Sequence, residues 1–193
     1  MSDITDNQRW EQVRHWLLVR AEAEGLIDVA VEQHDTPLGT ILLGATRRGV
    51  VRIGLPAENP DEVLDDLARR VSLRTIRAPR ATIATARHEL DEYFQGARQT
   101  FDVALDWRLS HGFRREVLRA TALIPYGHTA SYQDVAGRAG SPRAVRAAGT
   151  ALATNPLPII VPCHRVLRTG GQLGNYGGGP EMKAALLTLE GAR

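Results

Sequence analysis

Pro158-Ile159-Ile160-Val161-Pro162-Cys163-His164-Arg165-Val166 is the stretch on which the fold turns, and it carries the sole cysteine of the chain. An apolar run (Leu157, Ile159, Ile160, Val161) leads into it. A short β-rich run between prolines reads as a buried strand. Pro162 fixes its own φ and lacks an N–H, which ends ladder pairing. This places one thiol just past a buried strand, with an imidazole and a guanidinium as its next two neighbours. Most free cysteines are small inert hydrophobes. Thiolates form beside histidine and cationic groups, so the Cys-His-Arg neighbourhood argues for a reactive one.

Upstream, Ser131 caps a short helix through Ala139, and Gly140-Ser141-Pro142 makes a tight turn with Pro142 suited to a first helical position. A second helix spans Arg143 to Ala153, completing a helix-turn-helix pattern. That helix carries Arg143 and Arg146 among small residues: Ala144, Ala147, Ala148, Gly149, Thr150, Ala151 and Ala153. A major-groove reader would carry long base-reading side chains, whereas a small-residue face suits the minor groove, about 6 Å wide. Tight packing against another helix uses small residues equally well. Ser110 caps an earlier helix, from about His111 to Leu123. Downstream, Gly174-Asn175-Tyr176-Gly177-Gly178-Gly179-Pro180 lacks the spacing and trailing Lys-Ser/Thr of a P-loop. It reads as a wall that lets backbone approach a flat ligand. Pro180 starts a last helix, Glu181 to Leu189, which ends at Glu190-Gly191.

The first half follows other rules. Residues 4–24 read as an amphipathic helix with Trp10, Val13, Leu17 and Ala21 packed on the body. From Asp28 the period becomes two: Val29 and Val31, Thr40 to Ala45, and Val50 to Leu55 are strands joined by turns at Thr36-Pro37-Leu38-Gly39 and Arg47-Arg48-Gly49. Helices follow from Asn59-Pro60 and over Thr85 to Phe94. Its Asp, Glu and His residues are scattered without ligand spacing, so neither chemistry nor a metal is expected there.

Composition narrows the class. Hydrophobic content of 43% and charged content of 24% suit a globular protein. No stretch is apolar for long enough to span a membrane, and no apolar signal region opens the chain. One cysteine makes no internal disulfide and no Cys-rich zinc site, which fits a reducing cytoplasm. Residues 1–110 carry 14 Arg against 18 Asp/Glu, while residues 111–193 carry 10 Arg/Lys against 4. A basic half around the cysteine suggests a polyanionic partner.

Pro162-Cys163-His164-Arg165-Val166, Ser131-Tyr132 through Arg146, Asn155-Pro156, and Asn175-Tyr176-Gly177-Gly178-Gly179 through Glu190-Gly191 together resemble the O6-alkylguanine-DNA alkyltransferases, or methylated-DNA–protein-cysteine methyltransferases. The match covers most of residues 28–193. It implies an α+β protein: a helical extension (1–27), an N-terminal small α/β domain (28–106) and a C-terminal winged helix-turn-helix catalytic domain (107–193). It implies irreversible transfer of the alkyl group of O6-alkylguanine, and of O4-alkylthymine, from duplex DNA to Cys163 after base flipping through the minor groove. The partner is double-stranded DNA; no membrane, cofactor or metal is implied, and the protein acts as a monomer, cooperative on DNA or not. By the same resemblance, His164 and Glu190 would make a chain, through a water, that turns Cys163 into a thiolate. Arg146 would enter the duplex, and Tyr132 would help rotate the nucleotide and donate to guanine N3. Ser131, Ala147, Ala148 and Gly149 would line the DNA face with them. Asn155 would brace the turn before the cysteine, and Pro158, Val166, Tyr176 and Gly177 would line the guanine pocket. Gly177 stands where some members have serine.

The chemistry agrees. Attack at an sp3 carbon needs a strong, polarizable nucleophile. A thiol near pKa 8.5 is a few per cent ionised at neutral pH, so a base is needed. A damaged atom inside a base stack must be brought out. Two other classes compete: a non-catalytic helix-turn-helix lesion-binding or regulatory protein, and a Cys-His-Glu hydrolase, which would need an oxyanion hole and would turn over.

Overall fold

Two tight turns build the first half. The structure, a computed structural model, describes residues 3–192. Strands β1 (Val29–Thr36), β2 (Gly39–Thr46) and β3 (Gly49–Gly54) form an antiparallel meander closed at Thr36↔Gly39 and Thr46↔Gly49. Gly49 has φ 147°, and any Cβ there would collide with the backbone of Ala104. That close approach lets Val50 N–H donate to the Ala104 carbonyl at 2.8 Å. A fourth strand, β4 (Thr75–Arg77), pairs in parallel with β1 and gives the order β3-β2-β1-β4. The sequence does not announce it: three mostly exposed residues show no alternation, and the Arg74–Asp28 pair at 2.7 Å holds the segment in register.

Helix α2 (Pro60–Arg70) begins as its residues dictate, with the Asn59 side chain accepting from Asp61 N–H at 3.0 Å. Helix α3 (Ala81–Phe94) starts before the expected Thr85 and buries Ile83, Ala86, Leu90 and Tyr93. Helix α1 (Asp3–Ala23) forms where expected but does not pack as expected. Trp10 is 71% exposed and Leu17 53%; Leu18 and Ala21 are the residues that meet the core. Its anchor is ionic: Glu22 receives two bonds from Arg80, at 2.7 and 2.9 Å. Its core contacts lie in the last turns, while His15, midway along, flanks a cavity with Val31 and Arg77.

Helix α4 (Gly112–Ala122) has His111 rather than Ser110 at its start, without a side-chain cap; Ser110 is buried behind the 3-10 turn Trp107–Leu109. Helix α5 (Tyr132–Arg138) has a full capping box, Ser131 Oγ accepting from Asp134 N–H at 3.1 Å and Asp134 accepting from Ser131 N–H at 2.8 Å. Helix α6 (Val145–Ala153) completes the helix-turn-helix, with Pro142 in the turn instead of at a first helical position. Helix α7 (Gly179–Leu189) closes the fold.

The largest departure from expectation is the opening stretch. Residues 157–161 form turns, not a strand. Val161 N–H returns to the Leu157 carbonyl and Cys163 N–H to the Val161 carbonyl, both at 2.8 Å. Pro156, Pro158 and Pro162 remove three N–H groups, too many for a ladder. Ile159 sits at φ 73°, a left-handed conformation that costs a β-branched residue about 1–2 kcal/mol. Full burial of its side chain offsets this. Cys163–Arg165 is a 3-10 turn, followed by β6 (Val166–Leu167) paired in parallel with β5 (Ala130–Ser131). The stretch is fastened to the sheet where Ile53 N–H donates to the Pro156 carbonyl at 2.8 Å. One apolar cluster runs through both halves, joining Leu43, Ile53, Leu90 and Tyr93 to Leu118, Leu157, Val161 and Leu186. No helix among the described residues is long and apolar enough to cross a membrane.

Candidate active site

The Asn155-Pro156 turn and the 3-10 turn hold Cys163 between them. Asn155 Oδ1 accepts from Leu157 N–H at 3.0 Å, and its Nδ2 donates to the Val161 carbonyl at 2.9 Å. The same amide reaches Cys163 Sγ at 3.1 Å. Asn155 thus braces the turn and also solvates the sulfur, which turn chemistry alone does not foretell. Cys163 is 6% exposed. Burial pushes its pKa up, against the Asn155 hydrogen bond and the charge of Lys183. At rest the thiol is therefore held neutral, poised for an outside proton acceptor.

His164 is fully buried, and burial lowers its pKa against the pull of Glu190. A neutral imidazole whose Nε2 lies 2.8 Å from Glu190 Oε1 carries its proton on Nε2, because a carboxylate only accepts. That leaves Nδ1, buried and without a protein partner, as the basic nitrogen. Glu190 lies just past the C-terminal end of α7, where the dipole disfavours a carboxylate. Burial also pushes its pKa up, but hydrogen bonds from His164 and Arg165 outweigh both and hold it at about 2. Arg165 grips it through Nε at 2.8 Å and Nη2 at 2.9 Å, and spends Nη1 on the Ile124 carbonyl at 2.6 Å.

Tyr93 completes this network, and reading the sequence misses it. The fully buried phenol, from α3 of the first half, donates to Glu190 Oε1 at 2.6 Å. Lys183, the only lysine, is buried too and donates to the Val166 carbonyl at 2.6 Å.

A cleft of about 440 Å³ opens beside the sulfur, lined by Cys163, Asn155, Pro158 and Gly177 of the expected set and by Leu55 and Arg52 of β3 and its end. Val166 is wholly buried, and Tyr176 is half-buried with its ring edge-on to His164 at 6.4 Å. The ring of Tyr132 is wedged between Gly149 and Gly174, and no side chain at Gly174 could clear its hydroxyl. The glycines thus make room first for the protein's own tyrosine. On α6, Arg146 and Ala147 are exposed and Gly149 is half-buried. Ala148 is fully buried in the core, so its place on the DNA face is corrected: it turns inward, at helical spacing with Ala151 and Leu152. The hydroxyl of Ser131 is occupied by the capping box.

A buried thiol beside a carboxylate-oriented imidazole, carried on a helix-turn-helix domain, defines a DNA-binding protein with a cysteine nucleophile. Two family models give the particular: 6-O-methylguanine DNA methyltransferase, ribonuclease-like domain, matches residues 25–107, and the DNA binding domain of the same proteins matches 112–192. The chain belongs to the 6-O-methylguanine DNA methyltransferase family. It is 37% identical over 157 residues to the constitutive methylated-DNA–protein-cysteine methyltransferase of Bacillus subtilis, covering 81% of this chain and 92% of that one. It is 49% identical over 112 residues to its counterpart in Mycolicibacterium paratuberculosis, covering 58% and 67%. Mycobacterium tuberculosis O6-methylguanine methyltransferase superposes with TM-score 0.70 at 34% identity, covering 84% and 93%. The Mycobacterium tuberculosis OGT in complex with DNA gives 0.68 at 34%, covering 84% and 92%. By this membership the protein is a DNA-repair methyltransferase of the methylated-DNA–protein-cysteine class.

Proposed function

We propose that Cys163 accepts the alkyl group of O6-alkylguanine, and of O4-alkylthymine, from a nucleotide turned out of duplex DNA through the minor groove. The observation that carries this is the His164–Glu190 bond beside the one thiol of the chain. Neutral His164 takes the thiol proton at Nδ1, through a water. Glu190 steadies the imidazolium that results, and Arg165 and Tyr93 keep Glu190 ionised and in place. The thiolate attacks the sp3 carbon; the S–C bond forms as the C–O6 bond breaks, and the electron pair stays with the guanine. Tyr132 supplies a proton at N3 as the ring leaves, its own pKa raised by burial so that it remains a donor.

Arg146, exposed on α6 and without a carboxylate partner among the described residues, enters the stack, where an inserted side chain offsets part of an unstacking cost of a few kcal/mol. Ala147 and Gly149 let that helix come close, and Ser131 meets the backbone. Pro158, Val166, Tyr176 and Gly177 shape the base pocket. The thioether product is not readily hydrolysed, so each molecule acts once. We divide the chain at 27/28 and 106/107, into an extension and two domains, and expect a monomer.

Intact-protein mass after mixing with a duplex carrying one O6-methylguanine tests this. The expected result is a gain of one methyl, mapped to Cys163 and saturating at one equivalent. Lesion binding without any gain would leave a recognition protein only, and continued turnover would point to a hydrolase.

A further inference from the structure

Helix α1 presents two stripes at helical spacing, and only one of them is used by the rest of the chain. The inner stripe is His15, Leu18 and Glu22. His15 flanks the cavity beside Val31, Leu18 meets the core, and Glu22 holds Arg80 at 2.7 Å. The outer stripe is Trp10, Val13 and Leu17, with Trp16 beside it. At about 100° per residue, Val13 lies about 140° around the helix from Leu18, so this stripe points away from the body. Trp10 is 71% exposed, Val13 42%, Leu17 53% and Trp16 57%. Two of the three tryptophans of the chain thus stand in solvent on one helix face.

Single apolar residues at a surface need no reason, whereas a contiguous patch marks an interface. A tryptophan side chain covers up to about 250 Å², so the four residues leave roughly 400–500 Å² of apolar surface open. Nucleic acid does not suit this face, because α1 carries five acids against three arginines and would repel phosphate. An anionic bilayer is disfavoured for the same reason. A second copy of the helix does suit it. Trp10, Val13 and Leu17 have the i, i+3, i+7 spacing of a helix–helix seam. In an antiparallel pair with its two-fold axis at Val13, residues equally far before and after Val13 meet. Trp10 then meets Trp16, Val13 meets its own copy, and Asp6 meets Arg20. A parallel pair would instead set Asp6 against Asp6 and Arg20 against Arg20. Arg20 lies over the Trp16 ring at 5.6 Å, and its bond to Glu24 is an exposed contact within the helix that leaves it able to reach a second carboxylate.

We propose that α1 pairs with α1 of a second copy, antiparallel about Val13, through the tryptophan stripe and two Asp6–Arg20 contacts. A pair buries roughly 800–1,000 Å² in total, at the low end for specific interfaces, so the association is weak and reversible. The alkyl-acceptor reading needs one copy only, so the acting unit stays a monomer and the pair forms as concentration rises.

Sedimentation of the full chain without DNA, from about 1 to about 300 μM, tests this through mass action. The expected result is a reversible monomer–dimer equilibrium with a Kd on the order of 10–100 μM, as suits so small an interface. Val13→Asp sets two like charges at the axis and should weaken pairing at least about tenfold, with helix content by circular dichroism unchanged. Asp6→Arg and Arg20→Asp should each weaken it as well. An equimolar mixture of those two variants should restore it, because both contacts re-form with their signs exchanged. A chain that stays monomeric throughout would overturn the proposal, even if α1 then captured vesicles or another protein. Pairing indifferent to Val13→Asp would place the interface elsewhere and refute it. A mixture that associates no better than either variant alone would refute the antiparallel register.

Discussion

The two halves of this molecule use their polar residues in opposite ways. In the sheet half, ion pairs lock backbone segments together: Arg74 to Asp28 sets β4, and Arg80 to Glu22 docks α1. In the helical half His164, Arg165 and a phenol converge on one buried carboxylate, Glu190. The acids outnumber the bases before residue 111, and the bases prevail after it. A charge that fixes architecture can be satisfied by any well-placed partner. A charge that orients a base must also keep its protonation state, and that demands several donors in fixed positions. The phenol of Tyr93 crosses from the first kind of half into the second.

Changes at the site test that contrast. Cys163→Ser should abolish alkyl acceptance while leaving DNA affinity within about twofold, since the serine preserves shape; gel-shift titration beside the mass assay would show it. Loss of affinity as well would mean that the thiol organises the helical half.

Glu190→Ala should destabilise the fold by about 3–5 kcal/mol, because it strands Arg165 as a buried unpaired charge. Denaturant unfolding measures this. A cost near that of a surface change would erase the distinction between halves.

Tyr93→Phe should cost about 1.5–3 kcal/mol in stability, the range for a hydrogen bond to a charged group. Losing a donor makes Glu190 more basic and raises His164 with it, so the acid limb of the transfer-rate profile should move to higher pH. A stability loss with an unmoved limb would confine Tyr93 to packing.

Acid should act through the same residues. His164 is depressed by burial, so the stability it contributes is complete above its ordinary ~6.5 and falls away as pH drops below that. Glu190 is depressed to about 2, so its share is complete above ~4.3 and lost as pH falls towards 2. Urea midpoints should begin to decline just below pH 6.5, and His164→Gln should remove that first step.

Trp10→Ala should change stability by no more than about 0.5 kcal/mol, because the indole is 71% exposed. A larger change would mean that α1 is held along its length.

Much of this was legible in the residues. The hairpins announce themselves through turn chemistry, the start of α5 through Ser131, and the site through four ordered segments ending at Glu190. The stretch before the cysteine reads as a strand from its hydrophobicity with Pro162 as a stop, but Pro156 and Pro158 lack an N–H as well, and together the three leave too few donors for a ladder. Helix α1 was found by period, but period cannot say which turn docks. Tyr93 was beyond reach for another reason: its contact spans 97 positions, and nothing beside it in the chain marks it out.

The span between Tyr93 and Glu190 also sets a clock. A ribosome adds roughly 5–20 residues per second, so the phenol emerges about 5–20 s before the carboxylate that it will hold. Cys163 emerges in between, with its imidazole still unsteered. On the mechanism proposed above, only when α7 docks does the histidine acquire a fixed tautomer and the sulfur a base. Reactivity would then mature after the sheet half has been made, and a nascent chain would carry its one thiol in a dormant form until α7 is in place.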